Sequence, residues 1–164
     1  MGSKPLIRHT LGASAMFMEK YLNDLEPAAF LVRPVAGMNH LAWQVGHLIS
    51  VERKLIEEIR PGSSPALPPD FDAKHAMDRH AGDDPADFFT KEEYLALWKA
   101  QRAATHQLLD DLSDEELEAP APSEKTRQMC PTVGSMINLT GVHSLIHAGQ
   151  FVAVRRQKAM PIAF

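Results

Sequence analysis

The chain has 164 residues, 45% hydrophobic and 23% charged, with a formal net charge of -4. That length suits one domain with one core, expected over residues 1–164, and the composition is that of a globular protein rather than a disordered or fibrous one. The charge gives no basic footprint for nucleic acid, no apolar run approaches the roughly 18 residues of a membrane span, and the single cysteine, Cys130, has no internal disulfide partner. With no charged-then-apolar leader opening the chain, a cytoplasmic location is expected.

Four segments carry helical periodicity, and nothing between them shows the period-two alternation of strands. The first runs from about Leu6 to Leu25, with Leu11, Ala15, Met18 and Leu22 on one apolar face and Pro27 beyond its end. The second starts near Asn39, an N-cap candidate, and continues through "HLAWQVGHLISVERKLIEEI" to Pro61-Gly62. Thr90 with Glu93 three residues on reads as a capping box, opening a third helix that runs to about Leu112. A short turn at Ser113 to Leu117 follows it. The fourth helix follows Pro131-Thr132 and extends to about Lys158, roughly 39 Å at 1.5 Å per residue. The fold class predicted is all-α, an antiparallel four-helix bundle, whose facing positions are a usual place for metal sites. The connection from Pro61 to Phe89 is long and rich in Pro, Asp and Gly, and is expected to cross over and pack on the bundle.

Along the fourth helix Met136, Thr140, His143, His147, Gln150 and Val154 share one stripe, while Leu139, Val142, Ile146 and Ala153 form an apolar face beside it. A helix apolar over so much of its circumference is expected to be largely buried, and burying Thr140, two histidines and Gln150 is costly unless each finds a partner. Histidines at i and i+4 project together and reach one divalent ion, but a buried site requires a third protein ligand. "WQVGHL" offers His47, directly after Gly46. A glycine inside a helix costs about 1 kcal/mol relative to alanine, and close helix approach is one reason to keep it, with Gly141 and Gly149 candidates for the same role. On spacing alone two readings stay open: metal ligands, or core histidines bonded to their neighbours.

The remaining candidates read more plainly. His40, at a helix start, and His75 and His80, in the long connection, are expected at the surface, and His9 and His106 lack ligand-like companions. Glu52 fits the surface or a position just behind a ligand. Cys130 reads as a structural thiol, and Trp43 and Trp98 as core anchors. Arg155, Arg156 and Lys158 suit the negative pole of the fourth helix, with an anion site at the bundle end as the alternative.

"HLAWQVGHLISVER", followed by "TVGSMINLTGVHSLIHAGQFVAVRRQKAMP", resembles the DinB-like superfamily, which includes the YfiT-like metalloenzymes, and "FTKEEYLALWKAQRAATHQLLDDLSDEEL" is similar to the third helix of that family and its exit. The resemblance implies a four-helix bundle whose metal is held by one histidine of the second helix and two of the fourth, here His47, His143 and His147. Characterised relatives include thiol-dependent transferases and isomerases using bacillithiol, mycothiol or glutathione, so the family defines the site better than the substrate.

Three neutral imidazoles leave the full charge on a zinc or nickel ion, so a thiol or water in the open position loses its proton more readily. The leading expectation is a metal-dependent enzyme acting on a small-molecule substrate, transferase-like with a low-molecular-weight thiol as co-substrate, or hydrolytic. Gln150, one turn beyond His147, is a candidate to orient a ligand or the bound group. The alternative is a non-catalytic metal-binding or stress-associated interaction bundle. An apolar face left over after the bundle closes would support a homodimer.

Overall fold

The computed structural model describes residues 2–77, 82 and 84–162, and among these all regular structure is helical. Four helices are long, α1 (Ser3–Leu22), α2 (Leu41–Ile59), α4 (Lys91–Asp111) and α7 (Val133–Gln157). Three are short, α3 (Phe71–Lys74), α5 (Asp114–Glu118) and α6 (Glu124–Arg127), and 3₁₀ turns form at Pro27–Leu31 and Pro85–Asp87. No described helix is long and apolar enough to cross a membrane.

Caps place most of the boundaries. Thr90 accepts from the Glu93 amide while the Glu93 carboxylate accepts from the Thr90 amide at 2.8 Å, and Ser113 with Glu116 and Thr132 with Ser135 repeat the device. α1 ends at Leu22 rather than Leu25, where Lys91 Nζ donates to the Asn23 and Leu25 carbonyls. The N-cap of α2 is His40 and not Asn39: its Nδ1 accepts from the Trp43 amide at 3.2 Å. His40 is buried, contrary to its expected exposure, because Phe88 packs edge-on against its ring at 4.4 Å.

Helix directions follow from the pairs of residues that meet. Gly134 lies against Ile7, Gly141 against Thr10 and Arg155 against Asp24, so α1 and α7 run parallel. Glu52 meets Arg102 and Arg60 meets Asp111, so α2 and α4 also run parallel. The other neighbours are antiparallel: Arg8 pairs with Asp110 and Glu19 with Lys99 between α1 and α4, while Gln44 and His47 of α2 face His147 and His143 of α7. The long helices therefore close a ring in the order α1, α7, α2, α4, running up, up, down, down. This corrects the antiparallel arrangement expected from the sequence. Because α2 and α4 point the same way, the chain between Ile59 and Lys91 must make up the length of α2, about 28 Å at 1.5 Å per residue, which accounts for the length of that connection.

Two apolar layers fill the ring. One gathers Met18, Leu22, Phe30, Leu41, Val45, Ile49, Phe71, Tyr94, Trp98 and Phe151, and the other gathers Ile7, Leu11, Ile56, Leu108, Leu109 and Ile137. Between them lie buried polar side chains, Ser14, Glu52, Gln101, Arg102, Thr105, Thr140 and Ser144.

The helical glycines differ in what they permit. A Cβ at Gly141 would stand 2.9 Å from Thr10 Cγ2 and 3.2 Å from the Thr10 backbone, whereas one at Gly149 would meet nothing within 4 Å. Gly141 thus allows the close approach of α1, and Gly149 has no such role. In urea denaturation, Gly149→Ala is expected to raise stability by about 0.5–1 kcal/mol through helix propensity. Gly141→Ala is expected to lower it despite the same propensity gain.

Candidate metal centre

α7 presents His143 and His147 one turn apart toward α2, and α2 presents His47 toward α7. The three residues each offer one ring nitrogen, all within 4.8 Å of one another. His47 and His147 are 5% and 8% exposed, while His143 is partly open to solvent. His143 Nε2 and His147 Nε2 lie 3.2 Å apart. Two nitrogens bound tetrahedrally to one ion at 2.0–2.1 Å stand about 3.3 Å apart, so these two fit a shared cation as they stand.

The partners behind the rings decide which nitrogens are free. His147 Nδ1 lies 2.8 Å from Gln44 Oε1, and Gln44 Nε2 donates to the Asn39 carbonyl at 2.8 Å, which fixes the amide with its oxygen toward the histidine. An amide oxygen only accepts, so His147 Nδ1 carries the hydrogen and Nε2 keeps its lone pair. His47 Nδ1 lies 3.2 Å from the His75 carbonyl, and the same reasoning leaves His47 Nε2 free. Trp43 stacks on the His47 ring at 4.8 Å with the planes 6° apart, closing one face.

Burial keeps the cluster neutral. It lowers His143 to about 4, helped by the nearby His47, and lowers His147 to about 3, helped by His143 and His47. His47 is lowered by burial too, against the opposing effect of its bond to the His75 carbonyl. Neutral imidazoles are the form that binds a metal. The chemistry of this donor set, three neutral nitrogens with oriented outer partners, fits a divalent transition metal.

Behind the cluster the polar layer is joined by one cation. Arg102 Nη2 binds Glu52 Oε2 at 2.9 Å and donates to Ser144 Oγ at 2.9 Å and to the Thr140 carbonyl at 3.4 Å, while Thr105 donates to Glu52 Oε1 at 2.6 Å. Both charged groups are buried, which raises the Glu52 carboxyl against the pull of Arg102. Glu52 is therefore a core carboxyl paired with Arg102 rather than a surface residue.

Other expectations have mixed outcomes. His75 is buried rather than at the surface, its ring packed against Gly46; a loop side chain, not a helix, occupies the space that glycine leaves. His80 lies outside the described residues. Gln150 is half-buried one turn beyond His147, but the amide bonded to His147 is Gln44, which the sequence reading passed over. Cys130 is buried as a free thiol, and burial pushes its pKa up. Trp43 and Trp98 are buried as expected. Arg155 grips both carboxylate oxygens of Asp24 at 2.5 and 2.9 Å and donates to the Tyr21 and Pro161 carbonyls, so it is committed within the protein.

Helices that bring buried histidines from two directions to one point define an all-helical protein with a candidate metal centre. The chain belongs to the DinB superfamily, whose family model matches residues 11–151, a span that holds all three histidines. In fold it is similar to an uncharacterised protein from Escherichia coli UTI89, with a TM-score of 0.72 at 12% identity over 99% of this chain and 98% of that one. No curated protein matches the chain.

Two outcomes follow from these contacts. In metal-free protein, the imidazole resonances of His143 and His147 are expected to stay those of the neutral ring from pH 7 down to about 5, well below the ordinary histidine midpoint. Because the unfolded chain takes up these protons at higher pH than the folded one, both groups make stability fall as pH drops from about 6.5 toward 4. Arg102→Met would leave Glu52 buried without its counter-ion and is expected to cost about 3–5 kcal/mol in chemical denaturation.

Proposed function

We propose that this chain is a metal-dependent enzyme in which His47, His143 and His147 hold one divalent ion, zinc or nickel. The observation that carries the reading is the convergence of three neutral ring nitrogens, two of them 3.2 Å apart, with outer oxygens orienting His47 and His147. The partly open position of His143, beside two buried partners, supports a site reached from solvent rather than a closed structural one. Held by neutral imidazoles, such an ion keeps its double charge and lowers the pKa of a thiol or water in its remaining position.

Within that reading the chain's own residues have distinct tasks. Gln44 and the His75 carbonyl keep two rings in the binding tautomer, Trp43 covers one face of His47, and Gln150, one turn beyond His147 on α7, would orient a bound group. Apart from Cys130, which is buried among Leu55, Ala121 and Met136, the chain has no thiol, so a low-molecular-weight thiol enters as co-substrate with a small electrophilic molecule. Val142 and Ile146 leave apolar surface on the outer face of α7 beside the site, which suits a homodimer. A free cysteine suits a reducing compartment, the cytoplasm.

Elemental analysis of untagged protein is expected to find about one zinc or nickel ion per wild-type chain and a large loss in His143→Ala. Equal, sub-stoichiometric metal in both would overturn the site. Metal-dependent consumption of a cellular thiol in a conjugation assay tests the chemistry, and loaded protein inert with every common thiol would count against it.

A further inference from the structure

The segment that returns from α2 to α4 drives one ring into the wall of α2. A Cβ built on Gly46 would lie 2.2 Å from His75 Cδ2 and 2.3 Å from its Nε2, so the imidazole fills space that only glycine leaves. The ring is held on both sides. His75 Nδ1 donates to the Phe71 carbonyl at 2.7 Å, which leaves Nε2 to accept from the Tyr94 hydroxyl at 2.8 Å. Phe71 packs on the ring at 4.4 Å and Tyr94 meets it edge-on at 5.6 Å. Both ring nitrogens are thus committed inside the protein, which suits His75 to hold other groups in place rather than to react. Its backbone carbonyl, by contrast, is the acceptor for His47 Nδ1.

We propose that His75 is a positioning residue of the histidine cluster. Its side chain, locked between Gly46, Phe71 and Tyr94, holds its own carbonyl against His47 and so keeps His47 in the tautomer that turns Nε2 toward a divalent cation. The proposal rests on the metal reading of the cluster and adds a lever outside it. The helix supplies the ligand, but the segment from Phe71 to His75 chooses which of its nitrogens is presented. It also gives Gly46 a role: to make room for a ring that acts through its backbone. Outer partners of metal-bound histidines typically carry 10–100-fold in affinity.

The test compares wild type, Gly46→Ala, His75→Ala and the double variant. The His47 tautomer is read by long-range ¹H–¹⁵N correlation in metal-free protein, and zinc affinity by competition with a chelator. Wild type is expected to hold His47 with the hydrogen on Nδ1. Either single change should release it to a mixture of tautomers and weaken zinc about 10–100-fold. Gly46→Ala keeps every polar group and favours the helix, so it decides the matter should His75→Ala fail to fold. If the ring is the lever, adding Gly46→Ala to His75→Ala changes nothing further. A His47 tautomer unchanged in both single variants, or effects that add in full, would overturn the proposal. Tautomer release in a protein whose wild type binds no zinc supports the positioning role and overturns the metal reading alone.

Discussion

The parallel pairing of α2 with α4 is the constraint on which the rest of the structure depends. Parallel neighbours need a connection as long as the helices themselves, and that connection must lie against the bundle with its backbone groups satisfied. The chain meets this with Phe71, buried in the apolar layer, and with His75, lodged at Gly46. Packing the return segment tightly enough to fold also brings a carbonyl to His47. The topology of the bundle and the orientation of one candidate ligand therefore share a cause.

Much of the fold was legible in the sequence because it is local. Thr90 with Glu93 and Pro131-Thr132 are signals that span a single turn, and the structure keeps them within a residue or so. His143 and His147 were legible for the same reason, since four residues on a helix bring side chains together wherever the helix goes. His47 was linked to them by its setting after a costly glycine inside an apolar helix and by family resemblance, and the structure brings all three together.

What was not legible depends on partners far apart in sequence. Glu52 and Arg102 each look like ordinary charged positions, and only the side-by-side run of α2 and α4 turns them inward as a pair. His75 sits among Pro, Asp and Gly without periodicity, so nothing nearby marks it as buried. Gln44 and Gln150 each stand three residues from a histidine in the sequence, and the choice between them falls to the antiparallel register of α2 on α7. Helix direction was hidden as well, although a connection of some thirty residues is itself long enough to return along a helix.

The buried ion pair has a further consequence. The apolar layer on one side of it, from Ile7 to Ile137, is built almost wholly from Leu and Ile, shapes that would pack almost as well after one helix had slid a turn along another. Arg102 does not allow that freedom. It ties α4 to α2 through Glu52 and to α7 through Ser144 and the Thr140 carbonyl, so a slide against either neighbour strands a charge in hydrocarbon. The pair thereby marks one register of the bundle, the same one in which His47 faces the two histidines of α7.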